Sequence, residues 1–460
     1  MKKQILGFVA ASIMISGTAF ADEPVMSKFK MSIGGFVKLD YAYNSTDLGQ
    51  PLGMLSPSSG FIPRTSTAAG QSDQSQFTAR QSRIWIKIAG PEMYGAKTNA
   101  LIEGDFYGDY LTGNQSTESP TFRMRLAYGT VDWPNTQVLF GQFWDTWGPM
   151  VASTVDFRSG AGWGAPNTPR VPQFRITQKY NFNPDNTLSI ILSAQNPTEN
   201  FAASGIVPTT YSGTTGATTY FSSGAVNGAG QLMFTSKGLG AAPGYAGMAL
   251  NPLKVGFFGL YGNQSYNIYN NSGAPINSDQ SYKTWGGGFY AFVPVLKSSD
   301  GKSRAGTASL EGQIYEAANM SYNTATAYGI IQTNVPVGTF GPAYQIYGSA
   351  KGWGYAAQMI IYPTQELGIT LGTGKRQDLN NASYLMSAGA AQGYSTGNYQ
   401  YYVNLAYDFN AAVRLAAEYQ YLRTNYQTTY PLTSVDPLTK KPVSDFGQSN
   451  CFRVAAYYFF

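Results

Sequence analysis

Nine basic side chains stand in stretches where every second residue is apolar: Lys38, Arg83, Lys87, Arg123, Arg125, Arg175, Lys179, Arg414 and Arg453. Arg123-Met124-Arg125 and Arg175-Ile176-Thr177 show this period of two. In extended chain that period gathers the charges on one face and the aliphatic and aromatic groups on the other. A guanidinium offers a planar fork that matches carboxylate or phosphate, and a row of such forks on a wall of low polarity attracts anions. Acids on the same parity are fewer: Asp40, Glu103, Asp105 and Glu418. Arg83 and Arg123 are as well placed to neutralise Glu103 and Asp105 across a strand pair as to stand free. For Arg125, Arg175 and Lys179 a ladder of uncompensated charge is the favoured reading.

Other chemistry is poorly provided for. The chain has no histidine, which removes Ser-His-Asp catalysis, Cys-His pairs and imidazole metal sites together. Its one cysteine, Cys451, allows no internal disulfide and falls on the charged parity as a small apolar filler. Calcium in the acidic loops stays open, yet Asp73, Asp109 and Asp378 are isolated and no metal ligands are assigned; no cofactor motif stands between a strand and a helix. The positive charges are dispersed through strands rather than clustered, which argues against a nucleic-acid surface despite a pI near 8.9. An enzyme is not expected.

The elements that position these residues are strands. In 398–409, Tyr399, Tyr401, Val403, Leu405, Tyr407 and Phe409 oppose Gln400, Asn404 and Asp408. Val413, Leu415, Ala417, Tyr419 and Tyr421 then oppose Arg414, Glu418 and Gln420 across a minimal turn, which makes a hairpin. The same alternation sets Leu188, Ile190 and Leu192 against Ser189 and Ser193, and sets Phe122, Met124, Leu126 and Tyr128 against Arg123, Arg125 and Ala127. At the end of the chain Phe452, Val454, Ala456, Tyr458 and Phe460 form an apolar face opposite Cys451 and Arg453. One oily face and one polar face, with 34 Tyr, 52 Gly and only 12% charged residues, suit strands whose outer side meets lipid.

The compartment agrees. Lys2 and Lys3, an apolar stretch from Ile5 to Ile15 and the small-x-small site Ala19-Phe20-Ala21 read as a cleaved leader over residues 1–21. Its removal from 460 residues leaves 439, and the net charge falls from +5 to +3 with the two lysines. No run of 18 apolar residues follows, so no spanning helix is expected and residues 22–460 read as one barrel domain.

Sixteen strands are expected, at 31–45, 77–90, 96–109, 121–133, 136–144, 170–182, 186–196, 243–250, 254–266, 280–295, 304–320, 345–362, 366–377, 398–409, 411–425 and 447–460. The links after even-numbered strands are short, such as Pro134-Asn135, Asn183-Pro184-Asp185 and Pro363-Thr364-Gln365, while 46–76, 145–169, 197–242, 321–344 and 426–446 are long. This predicts an all-β fold: a transmembrane antiparallel up-and-down barrel in the outer membrane of a Gram-negative cell, with short periplasmic turns, long outer loops and a polar lumen. The Gly/Ala-rich member 243–250 is the weakest, so 14 or 18 strands also fit. Arginines at both ends of the chain become neighbours on closure, which concentrates positive charge on one wall. The link 145–169 carries Asp145, Asp156 and Arg158 with Trp147 and Trp163, and is expected to fold inward and narrow the channel. Trp85, on the inward parity, is placed to pack beneath it.

Five motifs between residues 77 and 180 resemble the DcaP-like trimeric porins of Gram-negative outer membranes: TARQSRI at 78–84, EGDFYG at 103–108, RMRLAY at 123–128, LFGQFW at 139–144 and RVPQFR at 170–175. The resemblance covers the first third of the chain by motif and the rest by strand rhythm and the terminal Phe460. It implies a sixteen-stranded homotrimeric channel for small anionic solutes, dicarboxylates among them, with Arg83, Arg123, Arg125 and Arg175 in the pore lining. Members of that family often carry a helical segment before the barrel; here only Asp22 to Lys28 precede the first strand, so trimer contacts are expected on the barrel walls, amid outer-membrane lipid. A barrel that sheathes a separate electron-transfer or envelope partner is the alternative reading, and it requires a wider, emptier lumen.

Overall fold

The computed structural model describes residues 29–48, 62–108, 120–157, 170–196, 218–221, 226–269, 275–318, 351–379, 395–426, 435–436 and 438–460. The leader lies outside them. In chain order the strands are β1 (Lys30–Asn44), β2 (Gln74–Thr78), β3 (Arg83–Ala89), β4 (Lys97–Asp105), β5 (Arg123–Asp132), β6 (Thr136–Trp144), β7 (Arg170–Asn181), β8 (Asn186–Gln195), β9 (Thr218–Phe221), β10 (Asn227–Pro243), β11 (Leu250–Tyr269), β12 (Pro275–Leu296), β13 (Thr307–Ala318), β14 (Lys351–Tyr362), β15 (Leu367–Asp378), β16 (Ser395–Asp408), β17 (Val413–Tyr426) and β18 (Phe446–Phe459).

These eighteen segments form one antiparallel sheet closed on itself. β2 and β3 both pair with β1, at 40–44 and 30–36 respectively, and are two halves of one broken strand. β9 and β10 lie on the same side of β11 and form a second broken strand. The barrel therefore has sixteen staves, as the alternation predicts. β18 closes it on β1 from Phe36↔Phe459 to Asn44↔Cys451, and backbone bonds between Gly35 and Phe460 at 3.0 and 3.1 Å pin the last residue into the seam. Closure leaves no free sheet edge, which a lipid environment requires.

The apolar parity faces outward. Phe452, Val454 and Tyr458 on β18 are each more than half exposed, while Cys451, Arg453, Ala455 and Tyr457 are buried. The same outer belt continues through Val37, Phe140, Phe174, Phe257, Leu310 and Leu405. No helix among the described residues is long and apolar enough to cross a membrane.

Two local expectations fail. On β5, Met124 is 50% exposed but Leu126 only 6%. The register slips there, so that Glu103 faces Leu126 and Gly104 faces Met124, leaving Arg125 as an extra residue on β5. Such a bulge reverses the parity beyond it, so Leu126 and Tyr128 turn inward instead of outward. The eighth stave is not 243–250. It is β10, and residues 244–249 form a turn. β10 is rich in glycine and its inward residues include Ala229 and Met233, both buried, so the polar-inward rule breaks.

The packed core sits inside the barrel, against one part of its wall. Met233 of β10, Phe258 and Leu260 of β11, Tyr290 and Phe292 of β12, and Tyr315 and Ala317 of β13 form a buried apolar surface on the inner face. Trp147 and Met150, from the segment after β6, complete it.

Candidate functional site

The segment 145–157 leaves the outer end of β6, enters the lumen and follows the inner wall from β10 round to β1. Gln231 Nε2 donates to Thr146 O at 2.8 Å. Trp147 is fully buried and meets Phe258 and Tyr315 edge-on, with ring centroids 4.9 and 5.9 Å away. Gly286 leaves the space for that indole: a Cβ there would stand 2.5 Å from Trp147 Cη2. Met150 N donates to Gln313 Oε1 at 3.1 Å and Ser153 N to Gln358 Oε1 at 2.7 Å. Asn404 Nδ2 donates to Ser153 O at 2.7 Å, and the Glu418 carboxylate accepts Val155 N at 2.6 Å and Asp156 N at 3.2 Å. The wall side chains act as sheet partners for an irregular backbone, which satisfies polar groups that burial would otherwise leave unpaired.

At the seam the segment is clamped by charge. Lys38 Nζ lies 2.8 Å from Asp40 and donates to Val155 O at 2.7 Å, and it also bonds Gln81 Oε1. Arg453 reaches Asp156 at 3.0 Å and Asp40 at 3.3 Å. Gln81 Nε2 donates to Asp156 at 2.8 Å. Lys38 is 0% exposed and Arg453 6%. Both point inward, yet they lie beneath the segment and do not line open channel; this corrects their reading as pore-lining charges. Trp85 packs beneath the same end, with Phe36, Val155, Phe157 and Tyr457. Asp145 is buried at the root of the segment, and Arg158 lies outside the described residues.

The opposite wall, β3 to β7, carries most of the other sequence-predicted residues. Arg123 makes a two-pronged contact with Asp105, at 2.9 and 2.8 Å. Arg125, aimed inward at the bulge, bridges Glu103 at 2.5 Å and Asp105 at 2.7 Å. Arg125 is thus paired, against the ladder reading, while Arg83 is not: it stacks over Phe157 at 4.6 Å and Phe36 at 5.6 Å. Arg175 lies over Phe143 at 4.6 Å, and Lys87 and Lys179 are exposed. Arg170, which alternation did not single out because it opens its strand, lies over Trp144 at 5.2 Å. Among the described residues Arg83, Arg170 and Arg175 have no carboxylate partner. A water-accessible cavity of about 450 Å³ adjoins this wall, lined by Lys87, Asn99, Tyr128, Thr130, Phe143 and Arg175 among others.

Arg414 is the remaining predicted lining residue, and it too is paired. Its guanidinium holds Asp408 at 2.5 and 2.9 Å, and Arg304 shares the same carboxylate at 3.1 Å. The acids on the inner wall are therefore occupied by partners, whereas three guanidiniums on the β3–β7 side are not.

No family model and no curated protein matches the chain. Among solved structures it is similar to the outer membrane channel DcaP of Acinetobacter baumannii, at 18% identity over 94% of this chain and 98% of that one, with a TM-score of 0.60. The fold is that of an outer-membrane porin barrel. It is also similar to the anion-selective porin from Comamonas acidovorans, at 11% identity over 94% of this chain and all of the other, with a TM-score of 0.50. At these identities the likeness is one of fold. The DcaP-like resemblance of residues 77–180 thus extends, as fold, along nearly the whole chain.

Proposed function

We propose that this protein is an exported, trimeric porin whose water-filled channel passes small hydrophilic solutes by passive diffusion and prefers anions, dicarboxylates included. The carrying observation is the set Arg83, Arg170 and Arg175 on the β3–β7 wall, which have no carboxylate partner among the described residues and lie over aromatic rings. Fixed positive charge on a narrow, low-dielectric wall raises the local concentration of anions and excludes cations. Aromatic rings beneath each guanidinium fix its orientation while leaving the fork free to take a carboxylate. The anion-selective relative from Comamonas acidovorans supports the same reading. The segment 145–157, which fills part of the lumen, speaks against a sheath around a second protein, because such a sheath needs an empty bore.

Reversal potentials across a planar bilayer in a salt gradient test the proposal. The wild type is expected to favour anions, and Arg83→Gln, Arg170→Gln and Arg175→Gln together are expected to bring selectivity close to neutral. A cation-selective wild type would refute the preference. Cross-linking in native membranes tests the trimer, with a monomer-only pattern counting against it.

A further inference from the structure

The link between β10 and β11 is a six-residue turn, 244–249, yet it does not stay on the rim. Residues 244–247 form a single tight 3-10 turn with Ala246 at φ 49° and Gly247 at φ 68°. Both are left-handed, and a side chain at Gly247 would collide with the Tyr362 hydroxyl, so this conformation depends on glycine. The turn is tied to parts of the barrel far from its own strands. Arg414 Nη1 of β17 donates to Ala246 O at 3.2 Å, and Arg304 Nη1 donates to Gly247 O at 3.2 Å. Tyr362 Oη of β14 lies 3.5 Å from Ala246 O. Ala246 N in turn donates to Ser153 Oγ at 3.1 Å, on the inward segment.

These contacts place the turn inside the lumen. Tyr245 feels the charges of Arg83 of β3, Arg125 of β5 and Glu418 and Arg414 of β17, all on the seam side of the barrel. The turn between β10 and β11 starts about half-way round the barrel from that seam, and its bonds to Arg414, Tyr362 and Ser153 carry it across the bore toward these charges. Tyr245 remains partly exposed, and its hydroxyl makes no hydrogen bond among the described residues.

We propose that the constriction has two jaws, the segment 145–157 from the outer side and the turn 244–247 from the periplasmic side, and that Tyr245 is the size- and specificity-determining residue where the second jaw meets the basic wall. A phenol facing Arg83 leaves a slot bounded by guanidinium on one side and by an aromatic edge and hydroxyl on the other. Such a slot suits a flat organic anion, whose carboxylate takes the guanidinium while its apolar body lies along the ring. The Arg414–Asp408–Arg304 cluster then has a purpose beyond pairing: its two spare guanidinium arms hold the turn in place. This inference rests on the porin reading above.

Single-channel recording separates the two. Tyr245→Ala is expected to raise conductance roughly 1.5-fold or more while anion preference persists, since the narrowest cross-section sets the current in a series path. A second measurement does not depend on the alanine variant's packing. In Tyr245→Cys with Cys451→Ser, an anionic methanethiosulfonate reagent is expected to cut the open-channel current in discrete steps. In Met248→Cys with Cys451→Ser the same reagent is expected to leave the current unchanged, because Met248 is 70% exposed on the rim. A wild type that forms no channel overturns both readings. A conducting wild type in which labelled Tyr245→Cys passes undiminished current overturns this inference alone.

Discussion

Glu418 is the residue on which the position of the inward segment can be tested most directly. Its carboxylate accepts the backbone N–H groups of Val155 and Asp156 at 2.6 and 3.2 Å, together with Asn404 Nδ2 at 3.2 Å and Gln420 Nε2 at 2.6 Å. All of these groups are buried. In Glu418→Ala the two backbone donors lose their acceptor, at about 1–3 kcal/mol each. Water entering from the channel offsets part of that, so a loss of about 2–4 kcal/mol of local anchoring is expected. At 1.4 kcal/mol per factor of ten, this raises the population of a detached segment end by about 30- to 1000-fold. The sheet ladder is untouched, so the barrel itself should resist SDS at the same temperature as the wild type. Single-channel traces, by contrast, should show frequent excursions to higher conductance. Glu418→Gln retains one acceptor oxygen and should fall between the two. A Glu418→Ala channel with wild-type conductance and noise would refute the anchoring argument.

Three further outcomes test other parts of the barrel interior. Trp147→Ala removes a fully buried indole at about 3–5 kcal/mol and should raise conductance; Gly286→Leu, which fills the same seat, should do likewise in recordings of either variant. Arg123→Gln with Arg125→Gln strips Asp105 and Glu103 of their partners and lowers the net charge of that wall by two, so it should depress anion preference, read as a reversal-potential shift. Cys451 is packed against Leu48, Ile62 and Leu422, and a hydrophilic maleimide should label it only after the barrel is unfolded by heating in SDS, as mass spectrometry would report.

How much of this was legible in the sequence depended on whether water or protein lies behind each face. Where a strand has lipid on one side and polar or charged side chains on the other, as β17 and β18 do, alternation gives the register directly: Leu415 and Val454 outward, Arg414 and Arg453 inward. Where the inner side is packed by the inward segment, as at Met233 on β10, both faces are apolar and the strand escapes a search for alternation. The bulge at Arg125 escapes for another reason: one extra residue changes parity without changing composition. The seating of the segment was beyond local reading altogether, because its anchor Glu418 is 262 and 263 positions away from the amides it holds. Inward parity at Lys38 and Arg453 was correctly read; their burial was not, because it follows from where that distant segment lies.

That last point ties conductance to selectivity. The inner surface beneath the segment carries Lys38 and Arg453 against Asp40, Glu311 and Glu418. The segment itself contributes Asp145 and Asp156 among residues 145–157, and no base. While it is seated, these acids are buried and the water of the channel meets Arg83, Arg170 and Arg175 at short range. If it lifts, the bore gains a wall with no excess of positive charge and two mobile carboxylates, and the same three guanidiniums act across a greater width of screening electrolyte. Widening therefore dilutes the positive field instead of enlarging it. Any substitution that loosens the segment, Glu418→Ala and Trp147→Ala alike, should raise conductance and lower anion preference in the same channel. One that trims the opposite jaw at Tyr245 should raise conductance alone, since it adds room without unmasking acids.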